Sequence, residues 1–366
     1  MKLITVIGAR PQFIKSYAIS QAIRTNQTAQ KVEEIIVHTG QHYDENMSSV
    51  FFEQMGLTKP KYTLNLTKRS HGGMTGQMII EIESILLDET PDYLLIYGDT
   101  DSTLAAAIAA SKLHIPIVHV ESGLRSFNRK MPEEINRIIA DELSAICFCP
   151  TDEAIKNLAN EGIYNSEARM VKNIGDVMLD VMLHFSKNIK PSAAVSALIK
   201  PGIYHLATVH RAENTDDEKN LNSILSALDE IAETTRVILP LHPRTRNKLK
   251  QFGISTKNIQ FIDPVSYLDM VSLLHNAQVV FTDSGGLQKE AYFAKKYCIT
   301  LRTETEWIEL VEHGVNVITG ADKLAIKNAY QTIPPSLDFS KPLYGDGSAG
   351  KQILDSMIAF YQKNNI

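Results

Sequence analysis

Short, apolar, β-branched runs alternate with longer helical patterns along this chain, and the alternation begins twice. Runs at 3–7, 34–38, 93–97, 115–120 and 145–149 are separated by helix-like segments such as 76–87 and 103–113. The pattern restarts with runs at 204–209, 236–240, 259–262, 279–282 and 297–301, among helical stretches near 220–233, 268–276 and 287–294. A strand that is apolar on both sides must be covered on both sides, and intervening helices do this in a parallel sheet. At 366 residues the chain is also longer than one core ordinarily serves. The expectation is an α/β protein with two doubly wound domains, 1–172 and 173–350. The join falls within 173–201, and a helix at 351–366 is placed to pack back on the first domain.

Composition narrows the function classes. Hydrophobic residues make up 44% of the chain and charged residues 22%, values that support packed cores rather than disorder. A formal charge of -5 argues against a dedicated nucleic-acid or membrane-surface binder. Cys147, Cys149 and Cys298 are too few for a disulfide scaffold and fit a reducing cytosol. The apolar run at 3–7 is too short for a signal peptide, and no stretch approaches the ~18 apolar residues of a membrane span. A cytoplasmic location is expected.

In open parallel sheets the ligand lies beyond the carboxyl ends of the strands, and two facing domains would put it in the cleft between them. Nearly every unusual polar cluster here follows a predicted strand. Gly8-Ala9-Arg10-Pro11, with Lys15 about one turn into the next helix, joins a turn, a helix start and two cations. That suits a diphosphate; a glycine turn with solvated charges is the alternative. Gly98-Asp99-Thr100-Asp101-Ser102 follows the run at 93–97, with Asp99 facing the cleft and Asp101 read as a helix N-cap. His119-Val120-Glu121-Ser122-Gly123-Leu124-Arg125 places Glu121 at another strand end. Met131-Pro132-Glu133-Glu134-Ile135-Asn136-Arg137 reads as a helix start, where Glu133 and Arg137 also have the spacing of an ordinary surface ion pair. Three carboxylates in one domain, two of them at strand ends, resemble an acid/base set whose proton affinities environment can separate.

The second domain supplies anion-binding features. Thr282-Asp283-Ser284-Gly285-Gly286-Leu287-Gln288-Lys289-Glu290 follows an apolar strand and opens a helix. Ser284 can cap that helix, Gly285 and Gly286 let backbone N–H groups approach a phosphate, and Glu290 can meet a sugar diol. Thr208-Val209-His210-Arg211 and Leu241-His242-Pro243-Arg244 each end a strand with an imidazole and a guanidinium. Two motifs are set aside. Gly345-Asp346-Gly347-Ser348-Ala349-Gly350-Lys351-Gln352 has nucleotide-loop spacing but ends in Gln352, without the metal-binding hydroxyl, and follows no evident strand. Cys147 and Cys149 share one face of an apolar strand and read as core.

Taken together and in order, these motifs resemble the non-hydrolysing UDP-N-acetylglucosamine 2-epimerases, two-Rossmann proteins of the GT-B type. The markers span nearly the whole chain: Gly8 to Pro11 with Lys15, Thr39-Gly40-Gln41-His42, Gly98-Asp99-Thr100, His119 to Arg125, Pro132-Glu133-Glu134 with Asn136-Arg137, Thr208 to Asn214, and Asp283 to Glu290. The resemblance implies cofactor-free and metal-free inversion at C2 of a UDP-2-acetamido sugar, by loss of UDP to a glycal and its return. It implies that Asp99, Glu121 and Glu133 carry the acid/base chemistry and that His210 lies close to the diphosphate or sugar. Arg10, Lys15, Ser284, Gly285, Gly286 and Glu290 match nucleotide-binding positions, and Arg137 and His242 are counted with the substrate contacts. Met270 and the backbone at Val265 would lie near the uracil. A homodimer acting in surface-polysaccharide precursor synthesis is implied as well.

Departures bear on the sugar. Thr305-Glu306-Trp307-Ile308-Glu309 stands where the family commonly has Thr-Glu-Arg-Pro-Glu, so Trp307, the only tryptophan, replaces a cation near the substrate; a core role for it is the alternative. Gln12 stands where glutamate is usual. With the Ser70 to Gly76 segment, these residues resemble members acting on modified sugars such as UDP-2,3-diacetamido-2,3-dideoxyglucuronate or UDP-N-acetyl-6-deoxyhexoses. Other functions stay open at this point. A GT-B glycosyltransferase would use the same diphosphate cradle, a hydrolysing epimerase would release free sugar and UDP, and a nucleotide-sugar-binding regulator would turn nothing over.

Overall fold

Two parallel sheets, one of seven strands and one of six, organise the chain. The computed structural model describes residues 1–41, 55–68, 70–187 and 189–364. The chain divides into one unit of Met1–Val181 with Leu343–Ile366 and another of Met182–Pro342. In the first unit the elements run β1 (Lys2–Ile7), α1 (Arg10–Arg24), β2 (Glu33–His38), β3 (Tyr62–Thr63), α2 (His71–Glu89), β4 (Tyr93–Tyr97), α3 (Asp101–Lys112), β5 (Ile117–Val120), α4 (Pro132–Leu143), β6 (Ile146–Cys149), α5 (Asp152–Asn160) and β7 (Met170–Asn173), before α6 (Val177–Ser186). Strand order is β3-β2-β1-β4-β5-β6-β7, and each neighbouring pair is parallel. Ile4, Val6, Val37, Leu94 and Ile96 pack on one side against Ala105, Ala106 and Ala109 of α3, whose small side chains let the helix lie close to the sheet. Cys147 and Cys149 sit in a separate apolar cluster, and burial pushes both thiols up, Cys147 to about 12, so neither is a poised nucleophile.

The second unit repeats the arrangement with α7 (Ala193–Ile199), β8 (His205–Thr208), α8 (Ala212–Thr215), α9 (Glu218–Ile231), β9 (Val237–Pro240), α10 (Pro243–Phe252), β10 (Gln260–Ile262), α11 (Tyr267–Asn276), β11 (Val279–Thr282), α12 (Gly285–Phe293), β12 (Tyr297–Thr300), α13 (Ile308–Glu312), β13 (Asn316–Ile318) and α14 (Lys323–Gln331). Its strand order is β10-β9-β8-β11-β12-β13. In both sheets the order reverses once, between β1 and β4 and between β8 and β11, and ligands of open α/β sheets bind outside such switch points. The last helix, Ala349–Asn364, belongs to the first unit, where Asp180 accepts hydrogen bonds from the Ala349 and Gly350 amides at 3.1 and 2.7 Å. It approaches α1 so closely that a Cβ on Gly350 would come within 2.5 Å of the Ala18 carbonyl oxygen. The set-aside glycine motif lies at the start of this helix, and its Lys351 pairs with Asp355 one turn on at 2.5 Å. No described helix is long and apolar enough to cross a membrane.

Candidate active site

At the first switch point the chain leaves β1 through Gly8, whose Cβ, if present, would fall 2.0 Å from Thr39 Oγ1 and 2.2 Å from Ser102 Oγ. Only glycine fits there. Gln12, fully buried, accepts from the Gly8 and Ala9 amides at 2.8 and 3.0 Å. Its own amide nitrogen donates to the Tyr97 carbonyl at 2.8 Å and to the Thr100 and Thr103 hydroxyls. This one side chain therefore ties the β1 turn to the β4 turn, and an ionised glutamate could not make the donating half of the set. Arg10 begins α1 and is partly exposed. Lys15, one turn further, forms an ion pair with Glu121 from the end of β5.

Asp99 and Glu121 follow adjacent strands, β4 and β5, whose last residues Tyr97 and Val120 are in register. Each carboxylate meets a cation of its own unit, Arg137 for Asp99 and Lys15 for Glu121. Glu121 occupies the left-handed backbone region at φ 71°, which costs a residue with a Cβ about 1–2 kcal/mol. Gly98 adjoins it, with its hypothetical Cβ 3.1 Å from Glu121 Oε2 and 3.5 Å from Lys15 Nζ. Glu133 lies in the first turn of α4 and is partly exposed. Its neighbour Glu134 is buried and accepts from the amides of Ser126 and Phe127 and the Ser126 hydroxyl, all at 2.9 Å. Arg137, also buried, reaches both Asp99 and Glu134, the latter at 3.2 Å, so its role exceeds that of a surface partner. Asn136 donates to the Asp99 carbonyl at 2.9 Å and to Asp101 at 3.2 Å. Asp101 is not the cap of α3. Thr100 takes that position and accepts from the Thr103 amide, because its hydroxyl already faces the helix start, while Asp101 pairs with His71 at 3.1 Å.

In the second unit the switch point lies between β8 and β11, where Thr208 and Thr282 share a 2.6 Å hydrogen bond. Buried Asp283 accepts from the His210 and Arg211 amides at 2.9 Å and from Asn214 at 3.1 Å, with His210 Nδ1 at 3.3 Å. The His210 and His242 rings lie 5.8 Å apart. His242 Nδ1 accepts from the Arg244 amide at 3.2 Å. Burial, with the neighbouring His210 and Arg244 charges, lowers the His242 pKa, and Asp283 only partly opposes this. Ser284 caps α12, accepting from Leu287, and Gly285 and Gly286 form its first turn, so the helix start presents N–H groups and positive dipole at the carboxyl end of β11. Trp307 is 4% exposed, donates from Nε1 to the Gly285 carbonyl at 2.9 Å, and lies 4.1 Å from the Lys289 ammonium across its ring face. Buried Arg302 grips Glu306 at 3.0 Å and Glu213 at 3.3 Å beside this turn. Glu290 is buried in α12. Val265 and Met270, before and within α11, are partly buried.

Residues 24–358 match the UDP-N-acetylglucosamine 2-epimerase family pattern. A Pseudomonas aeruginosa protein named UDP-2,3-diacetamido-2,3-dideoxy-D-glucuronate 2-epimerase is 51% identical, covering 97% of this chain and 99% of its own. The chain belongs to the UDP-N-acetylglucosamine 2-epimerase family. A UDP-N-acetylglucosamine 2-epimerase of Methanocaldococcus jannaschii is 42% identical over 97% of the chain and 98% of its own. A crystal structure of a Methanocaldococcus jannaschii UDP-GlcNAc 2-epimerase in complex with UDP-GlcNAc and UDP superposes with a TM-score of 0.88, at 40% identity, covering 98% of this chain and 100% of that one. The Neisseria meningitidis enzyme bound to UDP-GlcNAc gives 0.86 at 27% identity, with 98% and 100% covered. The architecture is therefore the two-domain GT-B type of this family's enzymes.

Within each unit, the expected site residues largely come together. Asp99 and Glu121 form ion pairs with Arg137 and Lys15 respectively, and His210, His242, Ser284, Gly285 and Trp307 gather around the second switch point. His42, one of the family markers, lies outside the described residues. Sequence reasoning passed over Gln12 as an organiser of both turns, Asp283 as the anchor of the His210 turn, and the pairing of Lys15 with Glu121. It also passed over Asp141, a buried carboxylate of α4 that bonds His119. The signal available for Asp141 was its spacing: Glu133, Arg137 and Asp141 recur every fourth residue and so lie along one side of a helix.

Proposed function

We propose that this chain is an isomerase that inverts C2 of a UDP-2-acetamido sugar by eliminating UDP and adding it back, without a cofactor. The observation that carries this reading is that Asp99 and Glu121 follow the ends of adjacent strands, each against a largely buried cation. One carboxylate takes the C2 proton, the C–H electron pair becomes the C1=C2 bond, and the C1–O bond breaks to release UDP as an anion. Protonation of C2 from the opposite face, with return of the UDP oxygen to C1, completes the inversion. The charge that grows on the leaving diphosphate is the main demand on the protein, and preorganised donors meet it best. The α12 start at Ser284, Gly285 and Gly286, His210, His242 and Arg10 are assigned to that charge, and Glu290, Val265 and Met270 to the nucleoside. Lys15 is assigned to both Glu121 and the diphosphate, and Glu133 to the acid/base set.

The first sugar to try is the 2,3-diacetamido-2,3-dideoxyglucuronate, since the relative named for it shares half of its residues with this chain. Trp307 favours a modified sugar only indirectly, by shaping the Gly285 turn. Work in the cytoplasm as a homodimer, feeding surface-polysaccharide synthesis, completes the reading. Incubation with a panel of UDP-2-acetamido sugars, followed by chromatography, tests it. The expected product is the 2-epimer with UDP still attached. Stoichiometric free sugar and UDP would reassign the chain as hydrolysing, and UDP release that requires an acceptor would reassign it as a glycosyltransferase.

A further inference from the structure

His119 and Asp141 are both fully buried in the first unit, and neither is itself an acid/base candidate. His119 Nδ1 lies 2.7 Å from Asp141 Oδ1, and Nε2 lies 2.8 Å from the Gly98 carbonyl oxygen. A carbonyl oxygen can only accept. The Asp141 carboxylate accepts as well, from the Ser122 hydroxyl at 2.5 Å, the Gly123 amide at 3.1 Å and the Arg125 guanidinium at 2.7 Å. Against these acceptors both ring nitrogens of His119 are placed to donate, Nδ1 to Asp141 and Nε2 to Gly98. Burial alone raises the Asp141 pKa, but the His119 and Arg125 charges and the Ser122 hydroxyl outweigh it and hold the carboxyl below its ordinary value.

Resting on the epimerase reading, we propose that the His119–Asp141 pair is the positioning device of the acid/base site, locking the turn that carries Asp99 to the turn that carries Glu121. The Gly98 carbonyl, which accepts from Nε2, belongs to the peptide immediately before Asp99, so this bond fixes the peptide that aims that side chain. Glu121 stands in a strained backbone between His119 and Ser122, and both of these are bonded to Asp141. Asp141 in turn lies one helical turn beyond Arg137, which holds the Asp99 carboxylate. An apolar side chain of similar volume would fill the space without desolvating two charges. It could not grip the Gly98 carbonyl.

Two substitutions separate the two halves of the device. His119→Asn keeps an amide N–H where Nδ1 meets Asp141 but releases Gly98. His119→Gln can reach the Gly98 carbonyl and gives up the charge and the Asp141 bond. The expected result for His119→Asn is a fall in kcat of about 100-fold with KM and UDP affinity held within about 3-fold, because a displacement near 1 Å is enough for such a loss. His119→Gln is expected to recover about 10-fold of it. Equal losses in both variants, with KM raised and thermal stability lowered together, would overturn the proposal and leave His119 as packing. Nitrogen NMR of histidine-labelled wild-type protein judges the pair whatever the substrate: two proton-bearing ring nitrogens on His119 are expected, and one bare nitrogen would overturn it. Failure of the wild type to epimerise any UDP-2-acetamido sugar would instead strike the functional reading, with the NMR result unaffected.

Discussion

Gly98 and Glu121 show how little room the first switch point leaves. Both have positive φ, and the glycine lies against the glutamate's carboxylate and the Lys15 ammonium. Gly98→Ala would add about 1–2 kcal/mol of backbone strain and push a methyl toward Glu121. Turnover is expected to fall about 10- to 100-fold with UDP affinity unchanged, as comparison of kinetics with calorimetric UDP titration would show. Trp307→Phe removes the indole N–H from the Gly285 carbonyl while keeping an aromatic ring, so UDP affinity should fall about 3- to 10-fold, the worth of one hydrogen bond. At this scale the sequence identified candidate side chains better than their partners. Asp99, Glu121 and Lys15 were legible from their places after apolar runs, but Lys15 meets a residue 106 positions away, and no local spacing encodes that. Arg137 was legible as a partner of Glu133 by helix spacing, whereas packing turns it to Asp99 and Glu134.

Among the elements, α4 carries most of the first site: Glu133, Asn136, Arg137 and Asp141 lie along it, and all but Glu133 bond the β4 and β5 turns. The long apolar strands were readable because burial on both faces leaves no alternation to misread. The short edge strands β3, β7 and β13 were not, since Tyr62–Thr63 and Met170–Asn173 mix polar and exposed residues that look like loop. β3 is held from outside the sheet. Glu89, ending α2, accepts from Lys61 at 2.5 Å, Tyr62 at 2.6 Å and Lys2 at 2.9 Å, and these bonds lower its pKa from 4.5 to about 2. The unfolded chain therefore takes up this proton first, so the stability Glu89 contributes is complete above about 4.5 and is lost as pH falls toward about 2. Glu89→Gln should be less stable than wild type at neutral pH, with the gap closing through that window in denaturant titrations run at successive pH values.

For the molecule as a whole, the twofold restart of the strand–helix alternation was visible in the sequence, and each half forms a sheet with one reversal of strand order. Residues 343–366, whose last helix was expected to pack on the first domain, complete the first unit through contacts with α1 and with Asp180. Truncation after Pro342 would delete the buried side chains of Ile353, Leu354 and Met357, whose burial is worth about 1.5–3 kcal/mol each, along with that of Tyr344. That total rivals the whole stability of an ordinary domain. Hydrogen exchange should then show the first unit losing protection while the second keeps it.

Loss of a proton from C2 is the step on which the epimerase reading stands. The most direct measurement is NMR of a UDP-2-acetamido sugar turning over in deuterated water. Solvent deuterium at C2 of the product from the earliest turnover is the expected result. Protium retained at C2 through complete inversion would contradict it.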